Sequence, residues 1–167
     1  MLGVPFAVRP ADVPEREAGA PEDVALENAR AKALGVSARA DEVVLGVDTL
    51  VATEAGIWGK PPDEAAARQT LRHLAGRSHT VVSGVVVARG ADVRSALETT
   101  MVTFRDLDDA ALDWYLAGGE WRGRAGGYAI QGRGGALVRR IEGDYLNVVG
   151  LPVGALLDLW PGLLVTR

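Results

Sequence analysis

Two β-branched segments joined by a short turn constrain the fold of this chain most. Residues 78–89 (SHTVVSGVVVAR) and 93–104 (VRSALETTMVTF) each have the composition of a strand, and Gly90–Asp92 favours a tight turn between them. Such a pair is typical of a hairpin. A third apolar run at 42–53 (EVVLGVDTLVAT) indicates a strand that is covered on both faces. The core of the protein is therefore expected to contain a β-sheet.

Helical patterns alternate with these strands. Capping residues and apolar spacing predict helices at about 21–34, 63–75 and 108–116, and a last one from Pro152. Two short strand-like segments precede the last helix, near 136–141 and 145–149. Strands interleaved with helices predict one α/β domain over residues 1–167, with a mixed, twisted central sheet flanked by helices.

Composition excludes several classes of protein. A hydrophobic content of 48% in 167 residues suits a globular domain and excludes a disordered chain. Because there is no cysteine, disulfides, thiolate zinc sites and thiol nucleophiles are excluded. No apolar run reaches the ~18–20 residues of a membrane span, and the first residues lack the order of a signal peptide, so we expect a cytoplasmic protein without a membrane partner. The net charge of −4 argues against a nucleic-acid partner.

Asp48 is the sharpest anomaly, because it interrupts the apolar run VVLGVDTLVA. A buried and unpaired carboxylate is costly, which favours a side chain that faces a pocket. There, burial would poise Asp48 as a general base, or a metal would hold it ionised. The structural alternative is a carboxylate that caps a turn or pairs with an arginine.

Four further residues are candidates on chemical grounds. The chain has 16 Arg but only two Lys, so Lys32 and Lys60 suggest sites that need a compact point charge. Gln131 lies in a glycine-dense stretch and carries donors and acceptors suited to the edge of a base. Glu15 could serve a divalent cation, although from the sequence alone an ordinary surface charge is the better explanation.

Several motifs, in order and across the chain, resemble the Maf family of nucleoside triphosphate pyrophosphatases, named historically as septum-formation inhibitors. They are ARAKA at 29–33, LGVDTLV at 45–51, GKP at 59–61, LAGRSHTVVSGV at 74–85, VTF at 102–104, AGGYAIQGRGG at 125–135 and GDYLNVVGLP at 143–152. The GGYAIQG segment resembles the branch that acts on dTTP and UTP. The resemblance therefore implies hydrolysis of these nucleotides to the monophosphate and pyrophosphate.

The resemblance also implies roles for the flagged residues. Asp48 corresponds to the proton acceptor, and Thr49 and Gln131 to positions that influence substrate choice. Lys32, Lys60 and Glu15 correspond to polar residues of the same cleft, with the two lysines offsetting phosphate charge. The expected cofactor is a divalent cation, Mg²⁺ or else Mn²⁺, held by Glu15 and Asp48.

Family members open with a strand and a SASPRR-like motif, which this sequence lacks, so we expect an N-terminally truncated chain. The family also allows a homodimer. Two alternatives stay open at this stage. One is a regulator of cell division that binds a nucleotide or a partner without turnover. The other is an inosine-triphosphate-type pyrophosphatase with purine selectivity.

Overall fold

The predicted hairpin lies at the centre of a five-stranded sheet in the computed structural model, which describes residues 3–39 and 41–164. The strand order is β2-β1-β3-β4-β5. The strands are β1 (Val44–Thr53), β2 (Gly56–Trp58), β3 (Ser78–Arg89), β4 (Asp92–Phe104) and β5 (Val138–Glu142). The hairpin of β3 and β4 and the ten-residue strand β1 confirm the three strands that the sequence predicted.

The prediction of a mixed sheet is wrong in one respect, because all four pairings between the described strands are antiparallel. The chain does connect two strands of the same direction, β2 and β3, through a helix. However, β1 lies between those two strands, so no parallel ladder forms. The α/β class and the flanking helices are confirmed.

The helices agree with the predicted ones except near the C-terminus. They are α1 (Pro21–Leu34), α2 (Glu64–Leu74), α3 (Asp109–Ala117), α4 (Tyr145–Val149) and α5 (Val153–Leu159). The segment 145–149 was predicted as a strand and is a helix, because the Asp144 side chain accepts a hydrogen bond from Leu146 N and Gly150 ends the turn at φ 115°. Within the described ranges, no helix is both long and apolar enough to cross a membrane.

Side chains from the two faces of the sheet form separate clusters. On one face, Val86 packs against Ala29 and Ala33 of α1. On the other face, α2 and α3 cover the larger cluster, which is centred on these buried residues: Val51, Leu71, Val81, Phe104, Leu112 and Tyr115. The sheet is therefore the middle layer of three, and α1 lies alone over the face that carries Asp48.

Two glycines let α1 approach the sheet closely. A Cβ atom on Gly46 would lie 2.3 Å from the carbonyl oxygen of Ala29, and one on Gly84 would lie 2.4 Å from that of Ala25. Gly84 is also the cross-strand partner of Asp48. The absence of side chains at these two positions brings α1 close enough to the sheet for its Asn28 and Lys32 side chains to reach Asp48.

This packing gives a stability prediction. Gly84→Ala is expected to lower the free energy of unfolding by about 1–3 kcal/mol, because the added methyl group must displace the α1 backbone. Denaturant unfolding followed by circular dichroism measures the change. Gly154→Ala is the matched control: nothing lies within 4 Å of its Cβ position, and alanine favours a helix. Equal stability of both variants would contradict the close-packing argument.

Candidate functional site

The middle of β1 lies at an open edge of the sheet. β2 pairs only with Val51–Thr53, so among the described residues the earlier part of β1 pairs on the β3 side alone. Successive strand side chains point to opposite faces. Asp48 contacts α1 on one face and Thr49 contacts Ser83 on the other, yet both line one cavity of about 760 Å³. The cavity therefore passes around this open edge.

Asp48 is buried, with 7% of its surface exposed, and both of its carboxylate oxygens have partners. Lys32 Nζ donates to Oδ1 at 2.6 Å, and Asn28 Nδ2 donates to Oδ2 at 3.0 Å. Lys32 Nζ also lies 2.8 Å from Glu15 Oε1. One ammonium thus bridges two carboxylates. The sequence left open a turn cap or an arginine partner for Asp48, and the structure shows a lysine and an amide instead.

Lys32 and Glu15 each stabilise the charged form of the other. Burial lowers the pKa of Lys32, but hydrogen bonds to Asp48 and Glu15 outweigh it, so the pKa of the ammonium is raised above its ordinary value. The hydrogen bond from Lys32 lowers the pKa of Glu15, against the opposing effect of burial. Lys32 is therefore charged, and Glu15 ionised, throughout the neutral range.

The two carboxylates fit a divalent cation as a partial ligand set. They converge on one positive charge, and Mg²⁺ is commonly held by one or two carboxylates while substrate oxygens and water complete its shell. Within residues 3–39 and 41–164, no group of three or more His, Cys, Asp and Glu side chains is placed to hold a metal. A cation bound by Glu15 and Asp48 would therefore need further oxygens from the substrate or from water.

The glycine-rich segment forms another wall of the cavity and brings Gln131 to it, and Lys60, which follows β2, also lines the cavity. Gly126 has φ 65°, and its amide donates to the carbonyl of Gly59 at 3.1 Å. A Cβ atom on Gly126 would lie 2.9 Å from Val51 of β1. Glycine is thus required where this segment crosses over the sheet. Five of the six predicted site residues line the cavity, and Glu15 is joined to it through Lys32.

A buried aromatic cluster anchors the same segment. His79 Nε2 and Tyr128 Oη are 2.9 Å apart, and both rings pack edge-on against Phe104. Tyr115 Oη accepts a hydrogen bond from the backbone of Ala129 at 3.2 Å. These contacts fix the residues that precede Gln131. The sequence correctly excluded a catalytic Ser78–His79 pair, since His79 is buried against Tyr128.

Burial of His79 predicts a pH-dependent stability. Burial lowers the pKa of His79 from 6.5 to about 4, so between these values the unfolded chain binds a proton that the folded chain does not. Stability is therefore expected to fall as the pH drops from 6.5 toward 4, by about 1.4 kcal/mol per unit at most. Denaturant unfolding from pH 7 to 5 measures this slope.

The control for this slope is the only other histidine, His73, which stacks on Trp58. His79→Asn is expected to flatten the slope, whereas His73→Asn retains His79 and should keep it. A His79→Asn protein with the wild-type slope would show that other groups cause the pH dependence.

Three cavity or network residues were missed by sequence reasoning. Arg122 and Arg124 line the cavity and add positive charge to it. They are surrounded by glycines and belong to no periodic pattern, so only their spacing of two residues hinted at a shared surface. Asn28 is the third: it is buried inside α1, and a single polar residue in a helical segment does not by itself indicate burial.

Known proteins include clear relatives of this chain. The family model described as Maf-like protein matches residues 1–161 of this chain. The chain belongs to the Maf family. A relative named dTTP/UTP pyrophosphatase from Moorella thermoacetica is 45% identical over 161 residues, which cover 91% of this chain and 81% of the relative.

Two further relatives of this Maf protein carry the same name. The protein from Pyrococcus furiosus is 41% identical over 140 residues, covering 83% of this chain and 74% of its own. The protein from Deinococcus radiodurans is 42% identical over 163 residues, covering 96% and 84% respectively. The resemblance that the motifs indicated is thereby confirmed.

Proposed function

We propose that this Maf protein hydrolyses dTTP and UTP to the nucleoside monophosphate and pyrophosphate. The observation that carries the proposal is the buried Asp48 carboxylate, which lies beside the Lys32 ammonium at the edge of a cavity of nucleotide size. Relatives that are 41–45% identical to it over the aligned residues are named dTTP/UTP pyrophosphatases, which supports the choice of nucleotide.

Asp48 acts as the proton acceptor in this proposal. A water molecule attacks the α-phosphorus, its proton passes to Asp48, and the bond between that phosphorus and the α–β bridging oxygen breaks. Pyrophosphate leaves with the electron pair of this bond. Lys32 and Lys60 stabilise the negative charge that grows on the phosphate oxygens, because both residues line the cavity.

Thr49 and Gln131 select the base. The Thr49 hydroxyl is oriented by Ser83 Oγ at 2.8 Å, and the Gln131 amide offers donors and an acceptor from the cavity wall. Such a pair can match the carbonyl and N–H groups of a thymine or uracil edge. Arg122 and Arg124 contribute positive charge to the same cavity.

Glu15 and Asp48 hold the divalent cation, Mg²⁺ or in its place Mn²⁺, which offsets phosphate charge when it is bound. The Lys32 ammonium offsets the negative charge that the two carboxylates bring to the site before the nucleotide arrives. We also propose that the protein is cytoplasmic and forms a homodimer. Its partners are nucleotides and not nucleic acids. Light scattering coupled to size exclusion would test the dimer, with an expected mass of twice 17.5 kDa.

The deciding experiment is pyrophosphate release from dTTP, UTP, GTP and ITP with Mg²⁺, with EDTA as the control. We expect turnover of dTTP and UTP that EDTA abolishes, and much slower turnover of GTP and ITP. Preference for ITP would support the inosine-triphosphate-type alternative. Nucleotide binding that EDTA leaves unchanged, without any product, would replace the proposal with a non-catalytic regulator.

A further inference from the structure

Asn28 is a buried residue of α1 whose side chain bonds to Asp48 and to the backbone of Arg16, next to Glu15. It lies inside α1 with 3% of its surface exposed. Its Nδ2 donates to Asp48 Oδ2 and to the carbonyl of Arg16, each at 3.0 Å, and its Oδ1 accepts from Arg16 N at 2.8 Å. Both protons of the amide nitrogen and its oxygen are therefore used, and none of these bonds serves α1 itself.

These bonds connect the segment before α1 with strand β1. Arg16 follows Glu15 in an extended segment before α1, and Asp48 lies in the middle of β1. The Asn28 side chain forms two hydrogen bonds with the backbone of that segment and a third with the carboxylate of Asp48. The position of the Glu15 carboxylate relative to Asp48 is therefore set at Asn28 as well as at the shared ammonium of Lys32.

The contact with Asp48 also selects a carboxylate orientation. Lys32 occupies Oδ1 and Asn28 occupies Oδ2, so rotation of the Asp48 carboxylate would break two bonds at once. A flexible lysine ammonium restrains the carboxylate only weakly, because it can follow the oxygen as it moves. The planar amide of Asn28 is itself held by two hydrogen bonds to the Arg16 backbone. Its N–H group therefore has a fixed position, and this fixes the orientation of the Asp48 carboxylate.

We infer that Asn28 is a positioning residue that fixes the Asp48 carboxylate and the Glu15 segment in the arrangement that receives the cation and the nucleotide. The inference rests on the proposed function for its kinetic consequence, since Asn28 acts through Asp48 and touches no substrate. Loss of a residue that orients a metal-binding or catalytic carboxylate typically costs 10–100-fold in metal affinity or activity.

Two variants separate the bonds of Asn28. Asn28→Leu keeps the approximate volume and removes all three hydrogen bonds. Asn28→Asp keeps the shape and the acceptor for Arg16 N, but it replaces the donor to Asp48 by a second negative charge. We expect both to lower kcat for dTTP about 10- to 100-fold with less than a threefold change in KM, and to raise the Mg²⁺ concentration at half-maximal rate about tenfold.

A binding measurement provides a readout that does not depend on turnover. Electron paramagnetic resonance of Mn²⁺, titrated in the presence of α,β-methylene-dTTP, is expected to show about tenfold weaker Mn²⁺ binding in both variants. The matched control is Thr100→Val. Thr100 is equally buried and its hydroxyl also makes three hydrogen bonds, at 3.0–3.1 Å, to Asp144 and Asn147, but it touches neither Asp48 nor the cavity.

The outcomes distinguish this inference from the proposed function. Thr100→Val should lose stability while keeping the wild-type kcat and Mn²⁺ affinity. Wild-type kcat and Mn²⁺ binding in the Asn28 variants would overturn the inference, as would losses that Thr100→Val shares. If the wild-type protein bound Mn²⁺ but released no pyrophosphate, the proposed function would fail, and weaker Mn²⁺ binding in Asn28→Leu would still support the positioning role.

Discussion

Replacing Asp48 by asparagine is expected to lower kcat for dTTP hydrolysis by about 10²–10⁴-fold, the range for loss of a positioned general base. Asparagine keeps the shape of the side chain, and its carbonyl oxygen can still accept the bond from Asn28. What it loses is the negative charge and the capacity to take a proton from water. The measurement is steady-state pyrophosphate release at saturating Mg²⁺ and dTTP.

Stability separates a chemical effect of this substitution from a structural one. Lys32 keeps Glu15 as a partner in Asp48→Asn, but the new amide N–H group faces the Lys32 ammonium in place of Oδ1, so we expect cooperative unfolding with a free energy of unfolding lower by about 1–3 kcal/mol. Asp109→Asn makes the same chemical change at an exposed ion pair with Arg72 and should retain full turnover. An Asp48→Asn protein that folds and keeps more than a third of the wild-type kcat would remove Asp48 from the mechanism.

Local patterns were sufficient for the features that depend on neighbouring residues. Asp63 and Asp108 accept hydrogen bonds from the third residue of their helices, as their positions before α2 and α3 predicted. The β3–β4 hairpin follows from two β-branched runs and a glycine turn. Asp48 was identified because a carboxylate in an apolar strand needs a partner, and this requirement is visible from the strand alone.

The features that sequence reasoning missed depend on contacts between distant segments. The antiparallel pairing of β1 with β3 is decided by where α2 returns the chain, which no local pattern records. The role of Asn28 depends on Asp48, twenty residues later, and on Arg16 before it. Likewise, Arg122 and Arg124 reach the cavity only because the glycine-rich segment folds over β1.

The ammonium of Lys32 has two separable effects, one on stability and one on catalysis. Lys32→Met keeps the length of the stem and removes the charge that Asp48 and Glu15 share. Breaking a buried ion pair by removing one partner costs on the order of 3 kcal/mol, here reduced because Glu15 is partly exposed. We therefore expect a free energy of unfolding lower by about 2 kcal/mol and a kcat for dTTP lower by about 10²–10³-fold.

The pKa shifts give the pH range over which this stabilisation acts. The pKa of Glu15 is lowered in the folded state, so its contribution is present above the unfolded value of 4.5 and is lost as the pH falls through the folded pKa. The pKa of Lys32 is raised, so its contribution is present below 10.5 and is lost as the pH rises through the folded pKa. The difference in unfolding free energy between wild type and Lys32→Met should therefore be largest between these limits.

Lys60 is the matched control, because it lines the same cavity but forms no ion pair with any of the described residues. Lys60→Met is expected to lower kcat while changing the unfolding free energy by less than about 0.5 kcal/mol. Lys32→Arg should recover stability better than turnover, since a planar guanidinium keeps the charge but not the compact geometry between two carboxylates. If Lys32→Met and Lys60→Met lost the same stability, the bridging ammonium would have no stabilising effect of its own, and if Lys32→Met kept its kcat, the ammonium would have no effect on catalysis.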